Sequence, residues 1–503
     1  MMDPTAGIQY RTSGSFIFFC LIAAVNHSIS YVGTFYSSSL LPEKLASISL
    51  GALWISNAIA GLFFASHVQA ALGLVWALYL SFFGFAVQIA GLWIALVFPS
   101  YGWVSAASCV FAGTTSALWW NCQSLVVEKH CQAIFTRVKS SYSDLVEINY
   151  APPEPSAVRS HFNQVWTFIY QFTNVICFAS LTAGQYLQAD IASMIGSLGL
   201  IGLISTVLLS VITPGLSASK SGGAGSGAGS KMSKSHESNS AFDVFQLFFS
   251  DSRALMLCPF QVTFGVTIAL LAFFINANQV YAREQGLYLG VYEAWGYCFS
   301  SFSAWPYHRI VQRYGLDGSH FVMQFGAFCF GMCGVLCVCL PTRLVATWPA
   351  LLIIKALFGL GRGVFEGENR AVYLNLFSGP KLITALSLQG ALTGLSGGAS
   401  FFAADALSED QTAVLCAVTA AISILSYSCL VLNLEERRVA SLGANDIETY
   451  AQIDFSDWSW KTATIGVCGV KCCRIARQEK SLNQFADDEG EGDETLTTYL
   501  IKA

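Results

Sequence analysis

Charged side chains are scarce in this sequence. Asp, Glu, Lys and Arg make up 11% of the 503 residues, whereas 54% of the residues are hydrophobic. A soluble globular protein carries about 25% charged residues, so the composition argues against a soluble domain. Because the deficit extends over most of the chain, the sequence predicts an all-α polytopic membrane protein whose surroundings are the lipid bilayer.

Features that would indicate other function classes are missing too. The formal net charge is −5, without the basic excess of a nucleic-acid-binding protein, so no nucleic-acid partner is expected. The 16 cysteines lie mostly in apolar runs without paired zinc-ligand spacing, and we interpret them as small packing residues. No nucleophile–base pair or metal-ligand set is recognisable. We therefore expect no enzyme, no catalytic residue, no cofactor and no metal.

Apolar runs of about 20 residues dominate the chain, and each such run predicts a membrane-spanning helix. Twelve runs are recognisable. The first six are 14–37, 45–66, 70–98, 102–127, 162–187 and 190–213, and the second six are 254–280, 287–307, 319–340, 347–377, 382–404 and 411–433.

A Gly- and Ser-rich segment from Lys220 to Lys231 separates the two sets of runs and is typical of a flexible linker. It predicts two six-helix halves, the parallel-repeat arrangement of the major facilitator fold. The expected domains are a cytoplasmic N-terminus (1–13), an N-terminal bundle (14–213), a cytoplasmic linker (214–253), a C-terminal bundle (254–433) and a cytoplasmic tail (434–503). Lys and Arg concentrate in the connections on the side of the N-terminus, which predicts that both termini are cytoplasmic.

The tenth run contains the most unusual residues. Charge at bilayer depth costs about 2.5–3.5 kcal/mol per residue on insertion scales, yet Arg362, Glu366 and Arg370 recur there every four residues. On a helix Glu366 can reach both arginines. A stripe of glycines at 359, 363 and 367 runs beside the charges and predicts close approach of a neighbouring helix. Glu368 and Asn369 lie off the charged stripe.

Other runs carry isolated polar residues that are candidates for solute or coupling-ion contacts. These are Asn26 and His27 in the first run, Trp119, Asn121 and Gln123 in the fourth, and Glu293 in the eighth. Each has an ordinary alternative. His27 fits a pH switch or a core histidine, Trp119 fits ring stacking or packing, and the amides fit solute contacts or interhelical hydrogen bonds. For the tenth-run charges the alternatives are a transport or gating role and a static salt-bridge clamp.

The segment from Gly359 to Arg370 resembles the glycine-rich segment of the UNC-93-like branch of the major facilitator superfamily. The segment from Ala117 to Gln123 is similar to the Leu-Trp-x-x-Gln element of that branch. The resemblance implies that the first, fourth, seventh and tenth spans line a central cavity. Arg309, Arg313 and Gly315 fit the basic loop that facilitators carry after the eighth span, but His308 stands where an acidic residue normally precedes the first arginine.

Two functions follow from these observations. The first is a secondary transporter that carries a small polar solute or ion by alternating access, with Glu366 and Glu368 as candidate proton carriers. The second, implied by the resemblance, is a non-transporting accessory protein that binds a membrane-protein partner and regulates an ion channel or receptor trafficking.

Overall fold

The structure, a computed structural model, describes residues 14–143, 155–217, 241–281, 288–404 and 406–442. The predicted N-terminal segment 1–13, most of the linker and most of the tail lie outside these residues. Within them every regular element is helical. The N-terminal helices are α1 Gly14–Leu40, α2 Glu43–Phe63, α3 Ala65–Val97, α4 Trp103–Ser143, α5 Pro155–Tyr186 and α6 Ile191–Ser217, with a 3-10 turn at Pro99–Tyr101.

The second part of the chain opens with a short helix, α7, Ala241–Ser250. The C-terminal helices follow: α8 Ser252–Ala269, which continues as a π-helix over Leu270–Tyr281, α9 Leu289–Cys339, α10 Thr342–Val345, α11 Trp348–Glu366, α12 Glu368–Leu376, α13 Gly379–Phe402 and α14 Glu409–Leu442. In each of the twelve predicted runs the described residues are mainly helical. The tenth run is divided into α11 and α12 at Gly367.

Nine helices in the described part of the chain are long and apolar enough to cross a membrane. One of them, α9, has 51 residues. A straight helix of that many residues would be about 75 Å long, more than twice the roughly 30 Å of a bilayer core. The α9 helix therefore contains both the eighth and the ninth predicted span. With α4 and α13, which are helical throughout, the architecture is consistent with twelve spans.

Two glycines interrupt long helices at comparable places. Gly73 in α3 has φ 76° and Gly315 in α9 has φ 58°, a left-handed region that favours glycine because it has no Cβ. Both turns connect an outgoing and a returning span. The sequence places the break between the second and third runs at 67–69. Helical hydrogen bonds continue past Ser66, as from Val68 N–H to the Phe64 carbonyl, and the non-helical residue is Gly73.

Burial separates inner from outer helices. In the membrane-spanning window of Ser252–Asn276, 89% of residues are buried, against 22% for Ile191–Ser210. Large apolar side chains such as Val207, Phe302 and Leu425 are exposed, as expected for surfaces that contact lipid. The seventh predicted span is therefore internal and the sixth is peripheral. The cysteines within the described residues are unpaired and mostly buried, as expected for packing residues.

The chain forms two compact units, of which the first ends at Ser428 and the second begins at Cys429. In the first unit, α9 packs along α11 and α5, and α2 packs along both α4 and α13. N-terminal and C-terminal helices therefore meet at two long seams, α5 with α9 and α2 with α13. The candidate site lies among the helices that form these seams. In the second unit the structure describes the end of α14.

Candidate functional site

The glycine stripe of α11 is a surface of close helix contact. A Cβ atom built on Gly359 would lie 2.1 Å from the Gly296 carbonyl oxygen of α9, and one on Gly363 would lie 2.3 Å from Ser303 Oγ. Side chains at these positions would force the two helices apart. The predicted close approach is therefore confirmed, and it fixes the rotation of α11, which in turn directs the charged stripe away from α9's backbone.

Arg362, Glu366 and Arg370 form one buried ion-pair group. Glu366 Oε2 lies 2.7 Å from Arg370 Nη2, and Glu366 Oε1 lies 3.7 Å from Arg362 Nη2. The relative exposure is 0% for Arg362 and Glu366 and 4% for Arg370. The predicted i, i+4 pairing of one carboxylate with two guanidinium groups is present. With all three groups ionised, the cluster carries one net positive charge.

Aromatic rings from the N-terminal helices and α9 surround Arg362. Its guanidinium carbon lies 4.1 Å from the ring centroid of Tyr31 in α1 and 4.8 Å from that of Tyr297 in α9. It donates hydrogen bonds to the hydroxyl groups of Tyr297 at 3.2 Å and of Tyr170 in α5 at 3.1 Å. Cation–π contacts and hydrogen bonds of this kind compensate part of the cost of burying the charge.

Arg370 reaches across to α4. Its guanidinium carbon lies 4.4 Å from the ring centroid of Trp120, and its Nη1 donates a hydrogen bond to Gln123 Oε1. Gln123 was predicted as a site residue and is here joined to the charged group. The same arginine therefore links the tenth predicted span to the fourth, in the other half of the sequence.

A narrow cavity lies beside Arg370 and is lined by helices from both parts of the sequence. The centre of a water-sized molecule can occupy about 30 Å³ of it, which is room for about two waters. Arg370 is the charged residue of its wall. The other lining residues are Tyr31, Trp54, Asn57, Trp120, Ser124, Phe264, Phe365, Leu386, Gln389, Gly390 and Thr393.

Glu368 is buried apart from the ion-pair group. Its Oε1 accepts a hydrogen bond from Ser319 Oγ of α9 at 2.5 Å, and its Oε2 accepts one from Ser160 Oγ of α5 at 2.8 Å. Its relative exposure is 0%. The neighbouring Asn369 instead accepts a hydrogen bond from Gln261 Nε2 of α8 at 3.0 Å. Both residues therefore tie α12 to other helices.

A second buried ion pair lies one heptad before Arg362 on the same helix. Lys355 Nζ pairs with the carboxylate of Glu293, and both side chains have 0% exposure. Asn276 Nδ2 donates to the same Glu293 oxygen at 2.8 Å. Sequence reasoning selected Glu293 but missed Lys355. A lysine inside an apolar run, seven residues before Arg362, is the signal that would have found it.

The remaining predicted site residues lie away from the charges or pack beside them. Asn26 donates to the Gly202 carbonyl and Ser205 Oγ of α6, at 2.9 and 2.8 Å, and Asn121 donates to Ser387 Oγ of α13 at 3.4 Å. Trp119 is fully buried among rings that include Phe82 and Trp166. The contacts of Asn26 and Asn121 are interhelical hydrogen bonds and those of Trp119 are packing contacts, as in the ordinary alternatives to a solute-binding role.

His27 adjoins the charged group through an aromatic stack. Its ring stacks on Tyr170 with centroids 4.9 Å apart and meets Trp120 edge-on at 4.9 Å. Its relative exposure is 3%, and its Nδ1 has no hydrogen-bond partner among the described residues. The structure therefore joins His27 to the residues that hold both arginines.

Comparison with solved structures identifies the fold. A bacterial homologue of the iron transporter ferroportin, in an outward-facing state, aligns with a TM-score of 0.55 and 16% identity over 82% of this chain and 97% of that chain. The chain has the major facilitator fold. The proton:xylose symporter XylE aligns with a TM-score of 0.54 and 12% identity over 82% of this chain and 94% of its own. The nucleoside transporter NupG aligns with a TM-score of 0.51 and 10% identity over 83% of this chain and 99% of its own.

No protein-family model and no curated protein sequence matches the chain. At these low identities the major facilitator proteins share the fold with this chain, and the fold alone does not carry a substrate from one to another. The function is therefore argued from the site.

Proposed function

We propose that this protein is a secondary transporter that moves a small polar solute or ion by alternating access. The observation that carries the proposal is the cavity beside Arg370, which lies between N-terminal and C-terminal helices and has a buried charge in its wall. Transporter folds built from two repeats bind their solutes at the repeat interface near the bilayer midplane. In this proposal the halves are residues 14–213 and 254–433, and both termini are cytoplasmic.

The hydrogen bonds that cross between the halves would hold the two halves in one conformation of the transport cycle. Arg362 bonds Tyr170, Arg370 bonds Gln123, and Glu368 accepts from Ser160. A rocking motion must break or exchange such contacts, because their partners belong to different bundles. A solute that offers replacement partners to Arg370 would lower the cost of this exchange.

Glu366 is the proposed coupling residue, because it compensates both arginines at once. A proton on this carboxylate would weaken both ion pairs and release Arg370 toward the cavity. Glu368, without a cation bonded to it in the described residues, is the second candidate proton carrier.

The test is uptake into proteoliposomes under an imposed pH gradient, with wild type compared with Glu366→Gln. We expect gradient-dependent uptake in the wild type and its loss in the variant, with both proteins monodisperse after purification. Uptake in the variant equal to that of the wild type would refute the coupling role of Glu366.

A second candidate function is the accessory role of the UNC-93-like resemblance. The observation that favours it is the extent of internal pairing, since Arg362 is enclosed by tyrosines and by Glu366 and the cavity has room for about two waters. A stoichiometric membrane-protein partner after purification in mild detergent, together with absence of uptake, would favour this role over transport.

A further inference from the structure

The ion-pair group beside the cavity is not neutral in itself. Glu366 is shared by two arginines, so the group formed with Arg362 and Arg370 keeps one positive charge. The carboxylate of Glu293 is paired with Lys355, and that of Glu368 is held by two serine hydroxyls. An uncompensated charge in a membrane interior is expensive, and an anion that entered beside it would be stabilised.

Hydrogen-bond donors without acceptors accompany the excess charge. The indole Nε1 of Trp54, which lines the cavity, has no hydrogen-bond partner in the described part of the chain. Nε2 of Gln123, a residue outside the cavity wall whose other amide atom accepts from Arg370, also has no hydrogen-bond partner there. Trp54 is 8% exposed and Gln123 is 0% exposed. A buried donor without an acceptor is destabilising, so a ligand with acceptor atoms fits this site better than a ligand with donor groups.

The other residues of the cavity wall indicate what the uncharged part of the ligand is made of. Trp54, Trp120 and Phe365 present rings to the cavity, and Gln389 and Thr393 add polar groups. The available space of about two waters holds a carboxylate group and little more, so the ligand belongs to the smallest organic carboxylates. An arginine beside aromatic rings is suited to a planar carboxylate that carries a short apolar body.

We propose that the cavity beside Arg370 binds a small organic carboxylate, with its charged group against Arg370 and its apolar part against Trp54 and Trp120. The inference rests on the proposed function, because it names the class of solute that the transporter carries. Trp54 acts as an additional donor, and the Arg370–Glu366 pair opens as the carboxylate takes over part of the pairing.

Binding is tested with the purified full-length protein by thermal melting and tryptophan fluorescence at constant ionic strength. The probes are the sodium salts of formate, acetate, propionate and butyrate, compared with sodium chloride. We expect saturable stabilisation by carboxylates in the wild type and an affinity at least about tenfold weaker in Arg370→Gln. The matched control is Arg309→Gln, which removes the same charge from an exposed position outside the cavity and should bind as the wild type does.

If Arg370→Gln does not fold, Trp54→Phe keeps the ring and removes the unpaired donor, and it should weaken carboxylate binding. Equal effects in the wild type and every variant, saturation by chloride alone, or no saturable effect would each overturn the proposal. Uptake into proteoliposomes separates the two hypotheses. Carboxylates that bind but do not accumulate would support the binding site and refute transport. Uptake of a neutral solute or cation without carboxylate binding would support transport and refute the carboxylate site.

Discussion

Replacing Lys355 by methionine should destabilise the protein, because it removes the cationic partner of a fully buried carboxylate. Glu293 would keep the hydrogen bond from Asn276 and lose its ion pair. Removing one partner of a buried pair costs about 3–5 kcal/mol. Methionine keeps an unbranched apolar stem against Phe35 and Phe358, whose rings lie 5.0 and 5.2 Å from the Lys355 ammonium, so the loss reports mainly the charge.

The double variant Lys355→Met with Glu293→Gln separates charge from packing. A neutral glutamine can still accept the hydrogen bond of Asn276, and exchanging a whole buried pair for neutral groups is often nearly neutral for stability. We expect the double variant to recover most of the stability that Lys355→Met loses, because no unpaired buried charge remains. Lys381→Met is the control, since Lys381 is exposed and should change stability by no more than about 0.5 kcal/mol.

The assay is equilibrium unfolding in bicelles, with folded yield after purification as a second measurement. A Lys355→Met protein within about 1 kcal/mol of the wild type would contradict the cost assigned to an unpaired buried carboxylate. A double variant no more stable than the single one would show that the lysine contributes by packing.

Two further predictions concern helix contacts. Gly359→Ala should lower the melting temperature and the folded yield, because the added Cβ would meet the Gly296 carbonyl oxygen. Gly390→Ala is the control and should lower neither, since no neighbouring atom lies within 4 Å of its Cβ position. Equal melting temperatures for the two variants would contradict the close contact at Gly359. Asn26→Ala removes the hydrogen bond to the Gly202 carbonyl of α6 and should cost about 1–2 kcal/mol in unfolding, without changing carboxylate binding in the fluorescence titration, because Asn26 is not part of the cavity wall.

Spans and same-helix contacts could be read from the sequence, because each is fixed by local geometry. A bilayer imposes a minimum length on every apolar run, and the described residues of each of the twelve runs are mainly helical. The period of 3.6 residues places Glu366 beside Arg362 and Arg370, and it places Gly359 and Gly363 on one face. Those contacts were therefore predicted before any tertiary arrangement was known.

Contacts between distant residues could not be read in the same way. Lys355 and Glu293 are 62 residues apart, and Glu368 and Ser160 are 208 residues apart. Many polar residues were available as partners for each charge, and the rotation and depth of every helix decide among them. The resemblance selected α4, and Gln123 in it, but it gave no reason to choose Gln123 over Asn121 as the partner of Arg370.

The buried charges of α11 and α12 differ in a way that bears on the choice between a clamp and a binding site. A clamp is most stable when its charges cancel, as they do at Lys355, which has its own carboxylate. The group around Arg370 has two cations for one anion, and the unpaired indole donor of Trp54 lies in the wall of the cavity beside it. Such an imbalance costs stability without improving the contact between helices. It is accounted for if a negatively charged ligand completes the group, which is the reason to expect binding at Arg370 and a static role at Lys355.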